Sequence, residues 1–138
     1  MDRLFLDANV LFSAAHSETS SLSRLWARAG VELLTSIYAF EEARRNLETP
    51  ERIARLARLA AQMLVVAIDD SEIALPPKLV LREKDRPILR AAVAAKASHL
   101  LTGDLRDFGP FFGKTVLGVL VLRPADYLRH PRKNAGSA

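Results

Sequence analysis

Five short apolar runs, none alternating cleanly with polar residues, constrain this chain more than any other feature. Leu4 to Leu6, Leu33 to Ser36, Met63 to Ile68, His99 to Thr102 and Val116 to Leu122 have the length and the leucine-rich or β-branched content of strands. A strand with one wet face would alternate, so runs that stay apolar are covered on both faces, as in a parallel sheet flanked by helices. The last run ends at Arg123-Pro124.

Between these runs, apolar residues recur at helical spacing. Leu22, Leu25, Trp26 and Ala29 form one stripe, closed by Gly30 as a C-terminal cap, and Phe40, Ala43 and Leu47 form a second, stopped near Pro50. Ile53, Leu56, Ala57 and Ala60 form a third, and Ile88, Leu89, Ala92, Val93 and Ala97 a fourth. The expected fold class is therefore α/β, a three-layer α/β/α sandwich whose central, mostly parallel sheet has four or five strands joined by right-handed crossovers. The chain of 138 residues fits one domain, expected over residues 1–128, with a loop at Pro76-Pro77 inside it and a flexible polar tail over 129–138.

Composition narrows the chemistry. There is no cysteine, which excludes disulfides, thiolate metal sites and cysteine nucleophiles, so any metal must sit on oxygen or histidine. No apolar run approaches the ~20 residues of a membrane span, and the start is too short and too acidic for a signal peptide. The expectation is a cytoplasmic protein with no membrane partner. A formal charge of +4 favours a polyanionic partner.

In a parallel sheet, ligands gather above the carboxyl ends of the strands, where the following helices begin. Asp7 follows the first run directly, and Asp104 follows the run ending at Thr102 after one glycine. Glu41 and Glu42 fall in the first turns of the helix after the second run. Asp85 starts the helix that descends into the strand at His99, which puts it on the same edge. Carboxylates packed together repel one another, and a divalent cation relieves the conflict. A site of carboxylates without cysteine or histidine suits Mg²⁺ or Mn²⁺. Two such ions ~3.5 to 4 Å apart can hydrolyse a phosphodiester without a protein general base.

The segments Phe5-Leu6-Asp7-Ala8-Asn9-Val10-Leu11, Thr35-Ser36 with Phe40-Glu41-Glu42, Lys84-Asp85 before an alanine-rich helix, and Leu100-Leu101-Thr102-Gly103-Asp104 resemble, in order and spacing, the PIN-domain family and its small prokaryotic VapC-like ribonucleases. The resemblance runs through nearly the whole chain. It implies cleavage of RNA dependent on Mg²⁺ or Mn²⁺, often by a homodimer, and in toxin members an antitoxin protein that blocks the site. It carries the acidic tetrad onto Asp7, Glu42, Asp85 and Asp104 as catalytic metal ligands, with Asp107 as an additional acid and Asn9 and Thr102 as supporting polar residues. Glu42 is preferred to Glu41 because Glu41 has Arg44 and Arg45 at ion-pair spacing, whereas Glu42 flanks the small Ala39 and Ala43.

Each acid also has an ordinary reading. Asp7 and Asp85 can cap helices, and Asp104 can be a turn residue. Asp69-Asp70 read as the start of a turn, and His16, His99 and His130 as isolated residues without assigned chemistry. Arg52, Arg55 and Arg58 read first as a solvated helix face and second as a phosphate-binding stripe. Trp26 reads as core, and Phe108 to Phe112 as a semi-exposed rim. Two other functions compete: a non-catalytic PIN-like module that binds RNA or protein, and a phosphatase of the haloacid dehalogenase type. The latter normally has a second acid two residues after the first, where this chain has Asn9.

Overall fold

The structure, a computed structural model, describes residues 1–67 and 73–129. Its strands are β1 (Asp2–Leu6), β2 (Val31–Ser36), β3 (Leu64–Val66), β4 (His99–Leu101), β5 (Thr115–Val116) and β6 (Val119–Leu122), paired in the order β3-β2-β1-β4-β6-β5. All pairs are parallel except β5 with β6. The helices are α1 (Ala8–His16), α2 (Arg24–Ala27), α3 (Ile37–Asn46), α4 (Pro50–Ala60), α5 (Arg86–Ala94), α6 (Leu105–Phe108) and α7 (Pro124–Arg129). This is the expected three-layer α/β fold with a mostly parallel sheet.

The centre of the sheet is its most apolar part. Leu4, Phe5 and Leu6 of β1 are fully buried, and so are Leu34 beside them on β2 and Leu100 and Leu101 on β4. Burying each such side chain contributes about 1.5–3 kcal/mol, which makes β1 the anchor of the fold.

Strand order locates the site. From β1 the chain steps outward to β2 and then β3, each time with helices between, and then crosses back over β1 to enter β4 on its far side. Right-handed crossovers in opposite directions put their helices on opposite faces, so the sheet has a switch point between β1 and β4. The helices following these two strands diverge there and leave a crevice at the carboxyl edge.

Three expectations need correction. The run Val116 to Leu122 is not one strand: Leu117 (φ 50°) and Gly118 (φ 87°) make a tight turn with positive φ at both positions, folding it into the β5–β6 hairpin and giving the sheet six strands. β3 is an edge strand with Leu64 and Val65 exposed, not covered on both faces. The stripe ending at Ala29 is only a 3₁₀ turn over Ser21–Ser23 followed by the single helical turn of α2, with Gly30 at φ 76° behind it. Ile68, Asp69-Asp70, His130 and the tail beyond Arg129 lie outside the described residues.

Several other side chains singled out by pattern have structural partners. Trp26 is half-buried and donates its indole N–H to the Leu59 carbonyl at 3.0 Å. Arg52 and Arg55 donate to the carbonyls of His16 and Ala15 at 3.0 and 2.7 Å. These two guanidinium groups thus satisfy the open carbonyls at the end of α1, where a cation is also favoured by the helix dipole. His99 is bonded to Ser98 Oγ at 2.8 Å and meets the Tyr127 ring edge-on, and burial pushes its pKa down.

Candidate functional site

Asp7 leaves β1 at the switch point and is almost completely buried, at 4% exposure. Its Oδ1 accepts the N–H of Ala8 at 2.7 Å, capping α1, while Oδ2 accepts from Asn9 Nδ2 at 3.2 Å and from Thr102 Oγ1 at 2.8 Å. Asp7 thus caps α1 through one oxygen and is held by Asn9 and Thr102 through the other. Burial is the main reason its pKa is raised from 3.8 to about 6; the bonds from Thr102 and Ala8 oppose the rise, and the charges of Glu42 and Asp104 add to it.

Thr102, just past β4, is the hub. Its fully buried hydroxyl donates to Asp7 and receives Asn9 Nδ2 at 3.2 Å and the Asp104 N–H at 3.1 Å. Asn9 in turn accepts the Gly103 N–H at 2.8 Å, and a Cβ on Gly103 would come within 3.3 Å of that same Asn9 oxygen. A glycine before Asp104 therefore lets the two strand ends approach closely enough for Asn9 to bridge them. Asp104 caps α6, accepting the Asp107 N–H at 3.0 Å through Oδ1.

Asp85 is different from the other two aspartates. It stands at the start of α5 but makes no side-chain cap, so the ordinary reading of a helix-capping aspartate does not apply. It is buried, and its Oδ2 has no hydrogen-bond partner. Single carboxylate oxygens of Asp85, Asp104 and Asp107 lie within 4.8 Å of one another. Burial is the first cause of the raised Asp85 pKa and a hydrogen bond with Asp107 the second; the Lys84 contact opposes both. That same bond, together with Arg82 and Lys84, holds Asp107 below the usual carboxylate range. Of the two neighbouring acids, Asp85 is thus the one whose charge is disfavoured and Asp107 the one whose charge is favoured.

The tight group is therefore Asp85, Asp104 and Asp107, and Asp107 faces inward, with Arg82 Nε at 3.2 Å from it. Asp7 and Glu42 stand outside this group, although both of their charges belong to the same rim. Of the two glutamates, Glu42 is half-buried and lines a cavity of about 390 Å³ with Ala8, Asn9, Phe12, Ala43 and Asn46. Glu41 is exposed and, among the described residues, makes no ion pair with Arg44 or Arg45.

Two residues with no role assigned from sequence belong to the rim. Lys84 Nζ lies 3.1, 3.5 and 3.9 Å from Asp85, Asp107 and Asp104. Although partial burial works against its charge, the bond to Asp85 and the neighbouring acids raise the pKa of this ammonium. Tyr38 Oη donates to the Lys84 carbonyl at 2.7 Å, tying α3 to the segment that presents Asp85. Adjacency to Asp85 was the available signal for Lys84; nothing local marks Tyr38.

A rim of oxygen donors at the switch point of an α/β sheet, with one orphaned carboxylate oxygen beside three clustered acids, has the chemistry of a site for a hard divalent cation. The chain belongs to the PIN domain family, whose model matches residues 3–106. In shape it is similar to the VapBC2 complex of Rickettsia felis bound to a DNA fragment from its promoter (TM-score 0.65, 12% identity, covering 88% of this chain and 98% of that one). It is also similar to VapBC-1 of nontypeable Haemophilus influenzae (0.57, 12%, 89% and 98%). A third similar structure is Mycobacterium tuberculosis VapC20, a toxin that cleaves the sarcin-ricin loop (0.52, 18%, 73% and 91%). Among curated proteins, none matches this sequence.

Proposed function

We propose that this protein is an endoribonuclease dependent on Mg²⁺ or Mn²⁺, with Asp7, Glu42, Asp85 and Asp104 as its catalytic metal ligands. The observation that carries the reading is the Asp85, Asp104 and Asp107 group within 4.8 Å, with Asp85 Oδ2 buried and unpartnered beside it. An all-oxygen donor set of this kind fits Mg²⁺ or Mn²⁺ better than softer metals. Bound divalent ions would supply a nucleophilic water at neutral pH and neutralise charge at the scissile phosphate.

The chain's own residues do the positioning. Asn9 and Thr102 fix the Asp7 carboxylate by two hydrogen bonds and are tied to each other by a third, and Thr102 also orients Asp104 through its N–H. Asp107 stands as a fifth acid, with a carboxylate oxygen within 4.8 Å of those of Asp85 and Asp104. Hydrolysis leaves a 5′-phosphate and a 3′-hydroxyl. The net charge of +4 favours a nucleic acid as substrate. By likeness to one protein named as a toxin and to two VapBC complexes, the protein is further read as the toxin of a toxin–antitoxin pair; a blocking antitoxin and a homodimer are proposed from the family resemblance, and a cytoplasmic location from the composition of the chain.

The test is incubation of end-labelled RNA and DNA with Mg²⁺, Mn²⁺ or chelator. Metal-dependent cutting of RNA, with 5′-phosphate ends, is the expected result; metal-independent cutting, or none, contradicts it. The Lys84 ammonium, which partly neutralises the acids, favours a second reading, a non-catalytic RNA-binding or protein-binding module. Tight RNA binding without turnover in either metal would support that module instead.

A further inference from the structure

On the outer side of Asp107 a cavity of about 480 Å³ opens, lined by Lys78, Arg82, Arg106, Lys114, Pro110 and Phe111. Its size is that of a small-ligand site. Arg82 is paired with Asp107, but Lys78, Arg106 and Lys114 have no acidic partner among the described residues. Three cations around one hollow, without an acidic partner among the described residues, attract an anion. Phe111, at the base of the 3₁₀ turn Gly109–Phe111, is half-exposed beside them. Its neighbour Phe112 already has the Arg123 guanidinium near its face at 6.0 Å, whereas Phe111 has no ring or cation partner among the described residues. Cations along a path with an aromatic face for a base are the pattern by which single strands are held.

Asp107 is common to this cavity and to the acid group, so the two share a wall. We propose that the cavity is a subsite for single-stranded RNA, in which Arg106 and Lys114 take phosphates flanking the cut and Phe111 stacks on a base. The direction of the strand rests on the nuclease reading above; the affinity of the subsite does not.

The experiment is fluorescence anisotropy with a labelled single-stranded RNA in the Asp7→Asn background with Mg²⁺, as a function of salt. Arg106→Ala/Lys114→Ala, both exposed and so compatible with folding, is expected to lower the slope of log affinity against log salt by about 1.4, the loss of two phosphate contacts on a single strand. Arg106→Lys/Lys114→Arg should keep the slope, and Arg24→Ala/Arg58→Ala, on other exposed surface, should leave it unchanged. Phe111→Leu is expected to cost about tenfold in affinity with the slope unchanged. RNA affinity and slope unchanged in Arg106→Ala/Lys114→Ala would overturn the subsite, as would loss of binding to a polyglutamate peptide with RNA binding intact, which points to an acidic protein partner. If the wild-type protein never cuts RNA but these variants still lose it, the subsite stands and the nuclease reading falls.

Discussion

The buried Asp7 carboxylate costs the free protein stability at neutral pH. Holding its pKa at about 6 instead of 3.8 corresponds to roughly 3 kcal/mol of unfavourable charging at neutral pH. Because the folded pKa lies above the unfolded one, this group's stabilising contribution is complete below pH 3.8 and lost as pH rises through 6. Asp7→Asn is therefore expected to abolish cleavage and to raise the metal-free Tm at pH 7. The gain should be about 1–2 kcal/mol, since an amide replaces one acceptor of the Asn9 and Thr102 bonds with a donor. Thermal melts at pH 4 and pH 7 check the sign: the advantage of the variant should shrink at the lower pH. Lys84→Met removes a half-exposed ammonium from beside three carboxylates. After screening, it should bind Mn²⁺ about fivefold more tightly by calorimetry; weaker binding would mean that the ammonium orders the ligands. At this scale the aspartates were legible because each follows a strand or opens a helix at a known edge. Glu42 is the more buried of the two glutamates, but the ion pair invoked for Glu41 does not form among the described residues. The direction of Asp107 could not be read, because Arg82 and Lys84, which turn it inward, come from a segment more than twenty residues earlier in the chain.

At the level of elements, β1 and β4 meet through Thr102, and the site depends on their register. Thr102→Val keeps the shape of a buried side chain but removes the donor to Asp7 and the acceptor for Asn9 and Asp104. Turnover should drop about 10- to 100-fold, with Thr102→Ser restoring most of it, whereas equal activity in both variants would show that the hydroxyl has no positioning role. The hairpin offers a contrast without functional consequence. Gly118 has open space around it, so Gly118→Ala meets only the backbone cost of φ 87°. It should lose about 1 kcal/mol in denaturant melts while cleaving RNA normally. The central strands were legible from apolar runs because burial on both faces leaves an unmistakable composition. The hairpin was not, since a turn of only two residues, Leu117 and Gly118, leaves the apolar run looking continuous. The edge position of β3 was hidden too, because its residues are as apolar as those of a covered strand, and only the strand order exposes them.

Across the whole molecule, a doubling back of the chain after β3 creates one crevice, and the acids converge there from four separate segments. The edge on which Asp85 and Asp104 meet follows from topology, whereas the basic cavity beyond Asp107 has no sequence pattern, since its cations come from the segment before α5, from α6 and from the turn before β5. The fold thus sets a carboxylate rim beside a cavity with basic lining, the arrangement on which the proposed grip on a polyanion rests. The claim on which the rest depends is that the rim holds a divalent cation. Mn²⁺ titration followed by electron paramagnetic resonance, on the wild-type protein and on Asp85→Asn and Asp104→Asn, tests it directly. The account predicts saturable Mn²⁺ binding that falls by at least tenfold in each variant, both of which remain folded. Absence of binding into the millimolar range, or binding indifferent to both substitutions, would contradict it.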